Sequence, residues 1–179
     1  MNDEWHLDQF VSVLVNEEKY AEDEGLSVQK YQTDAVHLDG LYSVLPAKFP
    51  PLYEMLVLSY RWPRSSIGAQ DKYFSLLANR PGPGLVGLED EVLNDECLAQ
   101  DCFDNGYIQV GFAPFDRYDP VCFAVQSGLS PEQFPLVILD HEQILCWSKI
   151  KIIKKVAPSF RELVLQAIEE NCGEELAQE

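Results

Sequence analysis

The consecutive residues Asp140, His141 and Glu142 have the side chains most able to do chemistry in this sequence, because each can bind a metal ion or move a proton. On an extended backbone Asp140 and Glu142 point to one face and His141 to the other, so the three are not expected to share one ion. Asp119 is the nearest further group, if its turn lies close to them. Paired carboxylates can hydrolyse glycosides. The alternative is that Asp119 and Asp140 accept hydrogen bonds from turn backbone N–H groups.

A thiol triad would need Cys122, His141 and an acidic third residue. Cys122 lies inside an apolar β-like run and not at a helix N-terminus, where a thiolate is stabilised. The nucleophile motif G-x-S-x-G is absent from the sequence. We therefore predict a protein without catalytic residues, cofactor or metal, and we keep a hydrolase or metal-binding enzyme as the alternative.

The elements that carry these residues are predicted to form an antiparallel meander. Four short β-like runs are separated by turn-rich connections that are too short for parallel crossovers. These runs are Tyr107–Phe112, Pro120–Val125, Phe134–Leu139 and Ile144–Trp147, and Tyr73–Ala78 is a possible fifth strand. The predicted fold class is α+β, with an antiparallel sheet of about four to six strands and helices packed on it.

Apolar residues at helical spacing predict amphipathic helices at both ends of the chain. The first runs from about Leu7 to an acidic stop at Gly25. The last begins at Ser159, which has the capping-box spacing to Glu162. The acidic tail from about residue 170 is expected to fray.

A further helix is expected to begin at Pro50 and Pro51 and to stop before Pro63. At its end, Tyr60, Arg61 and Trp62 are residue types that often dominate protein interfaces, so they are candidates for partner binding. The alternative is that these rings pack the helix onto the sheet.

An acidic run follows, since residues 81–116 contain no Lys or Arg. Two short helices broken near Asn94 are predicted here, with the acidic side chains on their outer faces. Such a run is usually a solvated face. Because it is so one-sided, we take Glu89, Asp90 and Glu91 as candidates for recognising a cationic partner.

The chain has 179 residues, which favours one domain, and its 13 Lys and Arg residues against 30 Asp and Glu residues give a net charge of −17. A field of this sign disfavours binding to nucleic acid or to an anionic membrane and favours a basic protein partner. Five scattered cysteines without C-x-x-C spacing, and an N-terminus without signal-peptide character, predict a cytoplasmic protein with free thiols. Composition does not indicate an oligomeric state.

Several short motifs, in order over residues 45–168, resemble bacterial members of the SUKH superfamily, which includes the fungal cell-wall-assembly regulator Knr and many bacterial immunity proteins. The residues that carry the resemblance are Leu45-Pro46, Tyr60-Arg61-Trp62-Pro63, Tyr118-Asp119-Pro120-Val121-Cys122-Phe123, Ile138-Leu139-Asp140-His141-Glu142-Gln143-Ile144-Leu145 and Val156-Ala157-Pro158-Ser159-Phe160.

The resemblance implies a single SUKH-like domain over residues 1–179 that acts as a binding module. Bacterial relatives are mostly thought to neutralise toxins, often nucleases, by protein contact. The expected function is therefore an immunity protein for a basic toxin, and a regulatory scaffold unrelated to toxins is the second alternative. Asp119, Asp140, His141 and Glu142 join the candidate partner-binding residues, together with the Tyr60–Trp62 and Glu89–Glu91 groups.

Overall fold

The architecture is α+β, as the sequence predicts. The computed structural model describes residues 3–16, 28–31, 38–67, 74–80, 87–93, 96–113 and 118–176. Within these residues one sheet has seven strands in the order β1-β4-β5-β6-β7-β8-β9, and every neighbouring pair is antiparallel. The strands are β1 (Val15–Asn16), β4 (Ser65–Ile67), β5 (Phe74–Leu76), β6 (Tyr107–Phe112), β7 (Pro120–Ala124), β8 (Leu136–Leu139) and β9 (Ile152–Ala157).

A second sheet pairs β2 (Gln29–Lys30) with β3 (Tyr60–Arg61). The described helices are α1 (Asp3–Ser12), α2 (Asp39–Tyr42), α3 (Pro51–Ser59), α4 (Leu88–Leu93), α5 (Glu96–Asp104), α6 (His141–Trp147) and α7 (Phe160–Leu176). Helix α7 packs against α1, α3 and β9, while α4 and α5 pack against β6. No helix in the described part of the chain combines the length and the apolar character that crossing a membrane requires.

The core between helices and sheet is built around the ring of Tyr53 in α3. This ring makes edge-to-face contacts with Phe49, Phe123 and Phe160, at centroid distances of 5.0, 5.3 and 5.1 Å. Aromatic rings favour this geometry because the positive edge of one ring meets the negative face of the other. Residues from α3, β7 and the start of α7 are thereby joined in one hydrophobic cluster.

Several predicted elements are confirmed. Pro51 is the first residue of α3, where its missing N–H is not needed. Two helices occupy the acidic region, and α7 begins where expected, with the Glu162 N–H donating to Ser159 Oγ at 3.2 Å. The predicted run Tyr107–Phe112 coincides with β6.

The prediction for the N-terminal helix is wrong. Helix α1 ends at Ser12 and a strand follows at Val15, so no continuous helix runs from Leu7 to Gly25; residues 17–27 lie outside the described part. At the C-terminus α7 continues to Leu176. The acidic tail is therefore helical to that point.

Two corrections bear directly on the candidate site. The run Ile144–Trp147, predicted as a strand, belongs to helix α6, which starts at His141 because Asp140 caps it. The last strand, β9, is formed instead by the lysine-rich stretch that follows, and it occupies one edge of the sheet.

Candidate functional site

The strand register brings Asp119 and Asp140 to the same end of the sheet. Strands β7 and β8 are antiparallel, with Val121 opposite Ile138. Continuing that register outward by two residues places Asp119, just before β7, opposite Asp140, just after β8. Two carboxylates 21 positions apart in the sequence therefore meet where β8 turns into α6.

Asp119 holds the first residue of α6. Its Oδ1 accepts a hydrogen bond from the backbone N–H of His141 at 3.1 Å and lies 2.7 Å from Nδ1 of the same residue. The Asp119 side chain is nearly buried, and a quarter of the His141 side chain is exposed. One carboxylate oxygen thus fixes both the backbone and the ring of His141.

Asp140 has a different set of partners. It is the N-cap of α6, and its Oδ1 accepts from the Gln143 N–H at 3.2 Å. Its Oδ2 lies 3.0 Å from Nζ of Lys151, at the approach to β9. The Lys151 ammonium and, next, the Gln143 N–H lower the pKa of Asp140 below its ordinary value of 3.8, because both stabilise the charged form.

Glu142 is exposed, and in the first turn of a helix it does not share a face with Asp140 as it would in a strand. The prediction that Asp140 and Glu142 point together, with His141 opposite, is therefore wrong, because the backbone is helical from His141 onward. Among the described residues no three His, Cys, Asp or Glu side chains are placed to hold a metal ion. Asp119 and Asp140 each accept a backbone N–H, so these carboxylates anchor α6 to the sheet.

Cys122 does not join His141. It is fully buried in β7, opposite Val137 of β8, and its thiol lies against that of Cys102 in α5. Burial, and secondly the Cys102 thiol, raise the pKa of Cys122 well above its ordinary value, since both disfavour the thiolate. Cys146, which the sequence places in a strand, lies on α6 and is exposed.

Asp140→Asn should make stability less dependent on pH. Asparagine caps helices as well as aspartate does, but it removes the charge that faces Lys151. Because the folded-state pKa is lowered, the contribution of Asp140 to the free energy of unfolding is complete above the unfolded value of 3.8 and is lost as pH falls through the folded value. In urea unfolding, we expect the wild type to have the larger free energy of unfolding at neutral pH. The difference between the two proteins should disappear below about pH 4. A difference in free energy of unfolding that stays constant down to about pH 3 would contradict the assignment of the effect to the Asp140 charge.

The second candidate group is buried where the sequence predicts an exposed contact patch. Tyr60 and Trp62 are 4% and 1% exposed. The Tyr60 hydroxyl donates to Asp8, and the Trp62 Nε1 donates to the Leu77 carbonyl at 2.8 Å. Both rings pack into the core because the chain enters β3 directly after α3. The prediction that they form an exposed patch is wrong, and the alternative that they pack inside is the one observed.

Arg61 is partly exposed beside these buried rings. Its Nε donates to Gln29 Oε1 at 2.9 Å, and its guanidinium lies 5.5 Å from the ring centroid of Tyr31. These contacts hold Arg61 against β2. An adjacent surface cleft of about 330 Å³ is lined by Glu4, Leu7, Lys30, Tyr31, Met55, Ser59 and Tyr60.

The third group, the acidic run, lies on the surface. Glu89 and Asp90 in α4 are exposed, whereas Glu91 is partly buried and pairs with Arg64 at 3.2 Å. Helix α2 lies alongside, since a Cβ added to Gly40 would be 3.1 Å from Glu89 Oε1. The exposed Asp39 of α2 therefore extends the same acidic surface.

A cluster of exposed apolar residues around α6 escaped prediction as a site. Tyr118 is 72% exposed and Trp147 66%. The sequence places Trp147 in a strand and assigns no strand to β9, so their common location could not be inferred. An aromatic residue between polar neighbours at Tyr118 was the available signal. The remaining members are Leu145, Ile152 and Ile153.

No protein-family model, no curated protein and no solved structure matches this chain. The resemblance to the SUKH superfamily therefore stays a prediction from the sequence.

Proposed function

We propose that the chain is a non-catalytic, cytoplasmic protein-binding module, an immunity protein that neutralises a basic, nuclease-type toxin by direct contact. The observation that carries the proposal is the acidic surface formed by α2 and α4. Its members Asp39, Glu89 and Asp90 are exposed on a chain of net charge −17, and Gly40, which follows Asp39 in α2, lies beside Glu89. The SUKH resemblance supplies the expectation of toxin neutralisation.

The charges of this surface are available to a partner. Among the described residues, Glu89 and Asp90 form no ion pair with a Lys or Arg side chain, and only Glu91 is engaged, by Arg64. The Asp90 carboxylate accepts from the Gly87 N–H at 3.1 Å, which holds it at the start of α4. Carboxylates that form no internal ion pair can pair with cations across an interface without first breaking one.

A nuclease needs cationic side chains to hold phosphates, and a protein that covers those side chains blocks its substrate. An acidic surface also speeds the encounter with a basic protein by long-range attraction, which salt weakens. A regulatory scaffold would use the same surface without a toxin. The genes that adjoin the coding sequence separate these roles, since an immunity protein is expected beside its toxin.

Charge reversal of Glu89→Lys with Asp90→Lys should weaken binding to the product of the adjacent gene by at least about tenfold, mainly through slower association at low salt. Isothermal titration calorimetry at low and physiological ionic strength measures the affinity, and survival of cells that express the toxin measures protection. Glu132→Lys with Glu169→Lys is the matched control, because both residues are exposed outside α2 and α4. Equal affinity of the α4 variant and the control would mean that the acidic surface of α2 and α4 does not bind the partner.

A further inference from the structure

The surface around α6 and β9 exposes more large apolar side chains than any other described segment of similar length. We call it the α6–β9 surface. It comprises Tyr118, Leu145, Trp147, Ile152 and Ile153, each at least 45% exposed. Four of these five side chains lie within residues 145–153, and exposed apolar residues gathered in one region, with aromatic side chains among them, are typical of protein interaction sites.

Two of these residues lie near His141, in the first turn of α6. The ring of Tyr118 lies 6.1 Å from that of His141, edge to face. Leu145 is four residues after His141 on the same helix, so it lies on the same helix face one turn further along. His141 is itself fixed by Asp119, so Tyr118 and Leu145 flank a rigid position.

The start of β9 lies beside the start of α6. Ile152 lies opposite Leu139, the last residue of β8, and the Asp140 N–H donates to the Lys151 carbonyl at 2.9 Å. Trp147 is the last residue of α6, five residues before β9 begins at Ile152. Ile153 lies where the register of β9 against β8 shifts. Both Ile153 and its neighbour Ile152 are exposed.

The charge around these apolar groups is the reverse of that of the whole chain. Residues 140–155 contain four lysines against two carboxylates, although the chain has only 13 Lys and Arg residues and a net charge of −17. Lys149 and Lys155 are exposed and make no ion pair within the described residues. Helix α5, which carries Asp101 and Asp104, packs against α6, so the positive side of the surface is that of β9.

Protection of a sheet edge accounts for part of this pattern. Edge strands commonly carry lysines and irregular pairing, which discourage association with other strands. Protection does not account for Tyr118, Leu145 and Trp147, because these lie outside β9 and add exposed apolar area. The lysines together with the apolar residues fit a partner that supplies both carboxylates and apolar side chains.

We propose that the α6–β9 surface is a second docking site, for a segment of a partner protein that combines acidic with apolar side chains. The apolar side chains of that segment cover Trp147, Ile152 and Ile153, and its carboxylates pair with Lys149 and Lys155. This site is separate from the acidic surface of α2 and α4 and does not depend on the proposed immunity function. The protein would then present surfaces of opposite charge to two different partners.

Binding is tested on the full chain with a short fluorescent peptide in which Asp and Glu alternate with Leu and Phe. One control peptide replaces its acidic residues by Lys, and the other replaces its apolar residues by Ser. By fluorescence anisotropy, the acidic–apolar peptide should bind at least about tenfold more tightly than either control, because it alone matches both features of the surface.

Two double variants locate the site. Lys149→Glu with Lys155→Glu, and Trp147→Ser with Ile153→Ser, should each weaken peptide binding by about tenfold or more. Lys48→Glu and Leu165→Ser are the matched controls, an exposed lysine on the α2–α3 connection and an exposed leucine on α7, and they should leave binding unchanged. Circular dichroism checks that all four variants are folded.

Three results would overturn the proposal. The first is that the acidic–apolar peptide binds no better than the control peptides, or equally well to all variants. The second is that a single-stranded oligonucleotide binds the lysines more tightly than the peptide, which would assign the surface to polyanions. The third is a dimer in sedimentation that Trp147→Ser with Ile153→Ser dissociates, which would make a second copy of the chain the occupant.

Discussion

Trp62→Ala is expected to lower the free energy of unfolding by about 3–5 kcal/mol, because it empties a fully buried site. The indole is 1% exposed, and its Nε1 is bonded to the Leu77 carbonyl at 2.8 Å. The Trp62 backbone also exchanges two hydrogen bonds with Asn79, whose side chain donates to the carbonyls of Val57 and Tyr60. Loss of the ring leaves a cavity and an unpaired buried carbonyl beside this network. Urea unfolding monitored by circular dichroism measures the change.

Two variants separate the causes of this loss. Trp62→Phe keeps most of the apolar contacts and removes the N–H donor, so it should cost less than Trp62→Ala. Trp147→Ala is the exposed control and should stay within about 0.5 kcal/mol of the wild type. If Trp62→Ala kept wild-type stability and lost only partner affinity, the contact patch that the sequence predicts would be correct and the buried placement wrong.

Helix α6 shows why an apolar run alone is ambiguous. The four residues Ile144–Trp147 are too few to distinguish a strand from a buried turn of helix by periodicity. The deciding feature is Asp140, whose side chain accepts from the Gln143 N–H. An Asp three residues before Gln at the end of a strand is a helix-start signal, and it was available in the sequence.

Strand β9 has no strand-like pattern in the sequence. Its first four residues are exposed on both sides, so apolar and polar residues do not alternate as they do in a half-buried strand. Lysines that protect a sheet edge also interrupt the apolar run by which a strand is recognised in a sequence. The central strands β6, β7 and β8 were predictable because their apolar residues are buried against helices.

The arrangement of the candidate site was predictable only in part. Asp140 accepts the backbone N–H of Gln143, as its position beside an apolar run predicts, whereas Asp119 accepts that of His141 on another element and not one in its own turn. Their meeting at His141 depends on the register of β7 against β8, which the sequence does not specify. The position of Tyr60 likewise involves the pairing of β3 with β2, and that of Trp62 its bridge to Asn79, and neither pairing has a strand pattern in the sequence.

Gly111→Ala is expected to lower the free energy of unfolding by about 3 kcal/mol, through overpacking at the centre of the sheet. Gly111 lies between Leu76 of β5 and Val121 of β7. A Cβ at this position would overlap the Ser75 carbonyl oxygen and lie 2.9 Å from Phe74 Cδ2. The oxygen belongs to the backbone of a paired strand, so relief requires that β5 and β6 move apart and weaken their hydrogen bonds.

The matched control for this variant is Gly87→Ala. Among the residues that the structure describes, a Cβ at Gly87 would meet only Asp90 Oδ2, at an ordinary contact distance of 3.8 Å. Alanine there restricts the unfolded chain without a clash, so stability should be unchanged or higher by up to about 1 kcal/mol. Urea unfolding of both variants against the wild type measures the difference. Because conformational freedom changes in the same way in both glycine variants, any excess loss in Gly111→Ala reports the approach of β5 to β6. Equal midpoints for the two variants would mean that these strands are further apart than the structure places them.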